Sequence, residues 1–284
     1  MIFYSPLRYP GGKNKLAKFI AKICEHNNID GHYVEPYAGG ASVALYLLIN
    51  NHVKEVTIND FNRSIYAFWY SVLNNTDVLC RKIKHTEVTI ENWKKQHEIQ
   101  KLKNSEKDLT KLGFSTLFLN RTNYSGIIDG GVIGGIKQEG AYKLDCRFNK
   151  QELIRKIKLI AEHRKRIHLE NLDALDLVKK ISLNTNSIFY FDPPYYLKGP
   201  SLYMNSYRHE DHVHVSEEIR KIPNAHWLVS YDNTPEINRM YPTKEIRSVK
   251  YNLLHTARTV REGKEILFFS NNLVLPEIKN PVLI

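Results

Sequence analysis

The sequence predicts an α/β fold: an open, mostly parallel sheet whose two halves flank an inserted, mainly helical module. Three observations predict it. Short apolar runs alternate with helical spacing at both ends of the chain, as in strand–helix–strand units. A Gly-rich turn, Tyr37-Ala38-Gly39-Gly40-Ala41, joins one such run to an apolar helix. Between residues 74 and 163 the character changes to polar, basic and Gly-rich sequence.

Taken in order, residues 8–13 read Arg-Tyr-Pro-Gly-Gly-Lys. A phosphate-binding loop is excluded, because Leu7 stands where its first glycine belongs and Asn14 where it needs Ser or Thr. Leu16, Phe19, Ile20 and Ile23 give residues 15–26 helical spacing. Residues 33–41 then read as strand and Gly-rich turn, with a helix to about Asn50. Glycine lets a ligand approach the backbone there. The next strand, residues 53–58, ends in Asn59-Asp60. Asp60 lies about twenty residues after the glycines, where an acid meets ribose hydroxyls. It is also placed to cap a helix over residues 61–73.

The module at 74–163 opens with polar helical segments carrying Trp93. Next come Phe118-Leu119-Asn120-Arg121-Thr122-Asn123-Tyr124-Ser125-Gly126 and a Gly-rich piece, 130–140. Arg147-Phe148-Asn149-Lys150 precedes another basic helix. Side chains of these types suit base edges and phosphates, and they equally suit a solvated structural insertion.

The sheet resumes with a short strand at 167–169, succeeded by Asp173, which is a helix cap or a ligand contact. Residues 188–191, Ile-Phe-Tyr-Phe, read as a buried strand stopped by Asp192-Pro193-Pro194-Tyr195, since proline cannot continue a ladder. Ligands of parallel sheets bind beyond such strand ends. Asp192 and the Pro193 carbonyl can accept both N–H groups of an aromatic amine, and Tyr195 can stack on its ring, worth about 1–3 kcal/mol. Taken alone, the run serves equally well as a strand end with an ordinary proline turn. Residues 227–230 form another strand, and 245–252 with 265–270 a closing antiparallel pair around a basic loop (Arg258, Arg261, Lys264). His209, Asp211, His212 and His214 are read as a polar loop leading into a helix, not a metal site.

With 42% hydrophobic residues among 284, the chain can bury a large core and is not disordered. Lys and Arg outnumber Asp and Glu by 41 to 30, which favours a polyanionic partner. Cys24, Cys80 and Cys146 have no metal or disulfide spacing, which fits a reducing cytoplasm. No run of about twenty apolar residues exists, so a soluble intracellular protein is expected.

The Asp-Pro-Pro-Tyr run resembles motif IV of nucleic-acid amino-methyltransferases. Together with Arg8–Lys13 (motif X) and Val34-Glu35-Pro36 before the glycines (motif I), the chain resembles the Dam-type, alpha-group adenine DNA methyltransferases. The resemblance spans Arg8 to about Asn271 and implies a methyltransferase (Rossmann-like) sheet over residues 1–73 and 164–284. The target-recognition domain is then 74–163. It implies Asp192, Pro193, Pro194 and Tyr195 as catalytic residues. Tyr9, Lys13, Glu35, Pro36, Gly39, Asp60, Asp173 and Asp192 are implied as S-adenosylmethionine contacts, and Arg121, Asn123, Tyr124, Arg147, Asn149 and Lys150 as contacts to double-stranded DNA. A monomer is expected, with a cognate restriction endonuclease as a candidate partner and no metal. The expected reaction is methylation of the adenine 6-amino group on a flipped base. The rivals are an amino-methyltransferase acting on cytosine or RNA, and a catalytically silent DNA-binding protein.

Overall fold

A computed structural model of the chain describes residues 3–8, 13–181, 186–197, 207–222, 225–242, 244–255, 261–277 and 280–282. The strands are β1 (His32–Glu35), β2 (Glu55–Asn59), β3 (Ile167–Glu170), β4 (Ser187–Phe191), β5 (His226–Asp232), β6 (Arg247–His255) and β7 (Arg261–Phe269). They form one sheet in the order β3-β2-β1-β4-β5-β7-β6. The first five are parallel, and β7 pairs antiparallel with both β5 and β6. The strand order reverses between β1 and β4, where an open α/β sheet leaves a crevice at its carboxyl ends.

Strand side chains alternate between two buried faces. Ile188 and Tyr190 join one core with Tyr33, Val56, Leu228, Leu267 and Phe269. Phe189 and Phe191 join the other with Val34, Val229, Tyr231, Ile266 and Phe268. This is why β4 reads as a continuous apolar run. The first face is covered by α1 (Ala17–His26), α2 (Ser42–Ile49) and α3 (Arg63–Asn74). The second face carries α8 (Ala174–Lys180), α9 (His209–Arg220) and α10 (Pro235–Met240).

Between β2 and β3 the chain also forms α4 (Thr76–His85), α5 (Ile90–Lys101), α6 (Leu109–Thr122) and α7 (Lys150–Glu162). Helix α6 lies directly on α3. A Cβ at Gly113 would fall 2.8 Å from the Ala67 carbonyl carbon, so only glycine permits that approach. The buried Gln100 of α5 accepts from Ser64 Oγ (2.7 Å) and donates to Ser115 (2.8 Å) and Thr116 (3.0 Å), tying α5 to α3 and α6.

Two local expectations change. Asn62 caps α3, accepting from Ser64 N at 2.9 Å, so Asp60 is not that helix's cap. His209, Asp211, His212 and His214 lie within α9 itself, not in a loop before a helix. No helix among the described residues is long and apolar enough to cross a membrane.

Candidate active site

Four adjacent parallel strands deliver one acid each to a single cavity of about 470 Å³: Glu35 ends β1, Asp60 succeeds β2, Asp173 succeeds β3 and Asp192 succeeds β4. Lys13, Pro36, Gly40, Pro194 and the exposed Phe61 complete much of the wall, and α9 adds Asp211 and His214. The cavity therefore sits at the sheet's switch point, where the topology leaves room for a ligand.

The glycine turn shapes one side. Gly39 has φ 46° and Ala41 φ 47°. The Gly39 N–H donates to Asp60 Oδ2 (2.9 Å), and the Gly39 carbonyl accepts from Trp69 Nε1 (2.9 Å). Asp60 Oδ1 accepts from Asn62 N at 2.8 Å. Each carboxylate oxygen retains a further lone pair for a ligand hydroxyl. Burial pushes the Asp60 carboxyl up to about 6, against these two N–H groups. Buried Asn59 clamps the neighbouring loops: its amide donates to the Pro36 and Leu172 carbonyls (2.9 and 3.0 Å) and accepts from Leu172 N (2.9 Å).

Asp192 lies at the β4 end, and its side chain is 20% exposed. Its ion pair with Lys13 Nζ (3.3 Å) and its hydrogen bond from Ser230 Oγ (2.5 Å) both fall on Oδ1. Burial raises the Asp192 carboxyl, while Lys13 and then Ser230 lower it. Glu35 is also held well above the usual carboxylate range, by burial and by the Asp192 charge. The proline turn is anchored from β5. Asp232 Oδ1 accepts from Tyr196 N (2.9 Å) and Oδ2 from Leu197 N (3.0 Å).

Behind Asp192 lies a buried polar cluster. Lys13 Nζ donates to Glu265 Oε2 at 3.0 Å and to the Tyr195 hydroxyl. Tyr195 donates to Glu265 Oε1 at 2.5 Å, and Tyr251 to Glu265 Oε2 at 2.8 Å. Glu265 is 1% exposed. A buried carboxylate left alone costs several kcal/mol; a cation and two hydroxyl donors offset that here. Despite burial, the Lys13 ammonium is held well above its ordinary value by Asp192, Tyr195 and Glu265.

The cavity thus brings together Lys13, Glu35, Pro36, Asp60, Asp173 and Asp192 of the expected cofactor set. Gly39 shapes the turn, whereas Gly40 lines the space. Asp173 does two things, capping α8 through Leu175 N (2.9 Å) and facing the cavity. Tyr9 lies outside the described residues, as does Arg258 of the basic loop. Pro193 is buried beside the lining residue Pro194. The Tyr195 expectation is revised: the ring is 2% exposed, faces Lys13 Nζ at 4.6 Å and does not line the cavity.

Glu265, Ser230, Asp232 and Asn59 do not stand out in the sequence as site residues. Glu265 nonetheless carries a readable signal. It shares the two-residue period of Leu267 and Phe269, which places a carboxylate on a core face.

The expected DNA contacts divide. Arg147 is exposed and lines a second cavity of about 510 Å³ with Arg8, Tyr142, Cys146 and Tyr124, the last 55% exposed. Arg121 and Asn123 instead turn inward. Arg121 donates to the Pro6 carbonyl (Nε, 2.6 Å). Asn123 is buried, accepting from Trp93 Nε1 (2.6 Å) and donating to the Ile127 (2.9 Å) and Ile128 (2.8 Å) carbonyls. Asn149 caps α7 through Glu152 N (3.0 Å), and Lys150 donates to the Lys84 carbonyl (3.0 Å). Burial and the neighbouring Arg8 and Arg147 charges lower the Arg121 guanidinium to about 10. Arg8 is lowered likewise, by burial and then by Arg147. Such a cluster favours an anion.

Residues 9–253 match the family described as D12 class N6 adenine-specific DNA methyltransferase. The chain is also similar to the Type II methyltransferase M.MjaIII of Methanocaldococcus jannaschii, 25% identical over 238 residues, 76% of this chain and 79% of that protein. A match running from the motif before Lys13 through the Asp192 strand end and into β6 shows that this chain belongs to the D12 class of N6 adenine-specific DNA methyltransferases.

Proposed function

We propose that the cavity holds S-adenosylmethionine and that Asp192 meets the 6-amino group of an adenine flipped out of duplex DNA. One observation carries the reading: among the described residues, both polar side-chain contacts of Asp192 fall on Oδ1, and the side chain opens on the cavity. That leaves Oδ2 clear of them to accept an N–H.

The cavity residues fit such a cofactor. Asp60 offers carboxylate lone pairs for ribose hydroxyls, and the acids Glu35 and Asp192 suit a cationic ligand. When bound, the cofactor supplies a methyl group activated by a positive sulfur. Asp192 and the Pro193 carbonyl draw on the two amino hydrogens and localise the nitrogen lone pair. With a methyl donor seated there, Asp192 would hold the amino group for the transfer and would accept the surplus nitrogen proton. Carboxylate action of this kind is worth about 10²–10⁴-fold.

DNA is proposed to lie against residues 74–163, with Arg147 and Arg8 near phosphate. The wider reading is a monomer acting on DNA in the cytoplasm. A restriction–modification role with a cognate endonuclease is supported by the Type II designation of the archaeal relative. The test is Asp192→Asn, with nucleoside analysis of DNA methylated by the parent enzyme. The variant should lose methylation while keeping DNA binding, and the parent should yield N6-methyladenine. Near-normal methylation by the variant overturns the assignment.

A further inference from the structure

We infer that Glu265 is a positioning residue for methyl transfer: it divides Lys13 between two carboxylates and anchors the Tyr195 hydroxyl, so that Asp192 keeps its capacity to draw on the substrate amino group. The inference rests on the catalytic role proposed for Asp192.

The geometry is specific. Lys13 Nζ stands 3.0 Å from Glu265 Oε2 and 3.3 Å from Asp192 Oδ1. Glu265 itself does not line the cavity. It acts from behind, on the sheet face that carries Leu267 and Phe269. With two hydroxyls and an ammonium pointed at it, its carboxylate is held as an acceptor.

Without the Glu265 charge, Lys13 has Asp192 as its principal counter-ion and is drawn onto it. An aspartate occupied by a full cation is a weaker acceptor for an amine, and its proton affinity falls. A glutamine there keeps one acceptor oxygen for the three donors Lys13, Tyr195 and Tyr251, which weakens the tie on Tyr195 and on the turn carrying the Pro193 carbonyl.

Titratable and charged groups reach Asp192 from every neighbouring element. Among the described residues they are Lys13 ahead of α1, Tyr33 and Glu35 from β1, Tyr190 from β4, Tyr231 from β5, Tyr251 from β6 and Glu265 from β7. Glu265 raises the Asp192 carboxyl and Lys13 lowers it. Removing the Glu265 charge therefore shifts the acid limb of catalysis towards lower pH.

The experiment is single-turnover methylation of a duplex oligonucleotide across pH, with saturating S-adenosylmethionine, for the full chain and Glu265→Gln. Cofactor and DNA affinities are measured in parallel. The expected result is a rate loss of about 10- to 100-fold. Both affinities should stay near the parent values, and the acid limb should move to lower pH. A parent-like rate and an unmoved limb overturn the inference, as does a loss confined to affinity.

If the Gln variant does not fold, Glu265→Asp carries the test. It keeps the charge but cannot reach all three donors, so the limb should stay in place while the rate falls about 3- to 10-fold. A full rate in the Asp variant overturns the inference. Asp192→Asn runs alongside. If it is dead while Glu265→Gln is normal, only the Glu265 inference fails; if it is active, the reading of Asp192 fails and takes the inference with it.

Discussion

Ser230 Oγ donates to Asp192 Oδ1 across 2.5 Å, from β5 to the end of β4. A hydroxyl has one proton, so Ser230 must accept from Tyr190, whose oxygen lies 2.9 Å away. The two bonds form a directed chain, Tyr190 to Ser230 to Asp192. The Ser230 bond lowers the Asp192 carboxyl, in opposition to burial. Ser230→Ala should therefore shift the acid limb of methylation to higher pH, the reverse of Glu265→Gln. A hydrogen bond to a charged group is worth about 1.5–3 kcal/mol, so the rate at neutral pH should drop roughly 10- to 100-fold. Single-turnover rates across pH test both sign and size.

Asp60 predicts a pH-dependent cofactor affinity. Its carboxyl is pushed up to about 6 by burial. Below that pH it takes a proton and can no longer accept from two hydroxyls. Affinity for S-adenosylmethionine should be steady above pH 7 and fall below pH 6, approaching tenfold per pH unit. Asp60→Asn should bind about 10- to 100-fold more weakly, with the pH dependence flattened. It should also lower Tm, because Asp60 holds the Gly39 and Asn62 N–H groups. Calorimetric titration at several pH values decides; unchanged affinity would reduce Asp60 to a structural bracket.

Basic and amide side chains of residues 74–163 should separate into two kinds. Arg147 is exposed, and Arg147→Ala should weaken DNA binding and reduce the log–log salt slope by about one. Asn123 is buried with its amide fully engaged. Asn123→Ala should instead destabilise the fold by about 1–3 kcal/mol for each partner left unsatisfied. Salt-dependent binding and denaturant unfolding of both variants check the contrast. An Asn123→Ala protein of normal stability would contradict the packing role.

Tyr195→Phe should be harmful, because the hydroxyl bridges Lys13 and Glu265 in a buried cluster. Losing a bond to a charged carboxylate predicts a fall of roughly tenfold or more in single-turnover rate. Tyr195→Ala should add a stability loss of about 3–5 kcal/mol, as for a buried aromatic. If Phe equals the parent, the hydroxyl network does not matter and a stacking role for the ring returns.

Much of the fold was legible in the sequence because local rules sufficed. Proline ended β4 just beyond Phe191, the glycine turn marked the start of α2, and short continuous apolar runs marked strands buried on both faces. Spacing and the strand-end rule pointed to Asp60 and Asp192, the family resemblance added Lys13 and Glu35, and the four line one cavity. Side-chain direction was not legible. Arg121 and Asn123 carry residue types suited to DNA, yet folding gives them backbone carbonyls to hold, Pro6 for Arg121 and Ile127 and Ile128 for Asn123. Tyr195 sits next to a cavity-lining proline, yet its ring turns towards Lys13 and Glu265. Glu265 is 70 positions from Tyr195 and 252 from Lys13, a separation that periodicity within one strand cannot bridge. The antiparallel return of β7 beside β5 closes that distance, because strand pairing, and not proximity in the chain, sets which buried charges must answer one another.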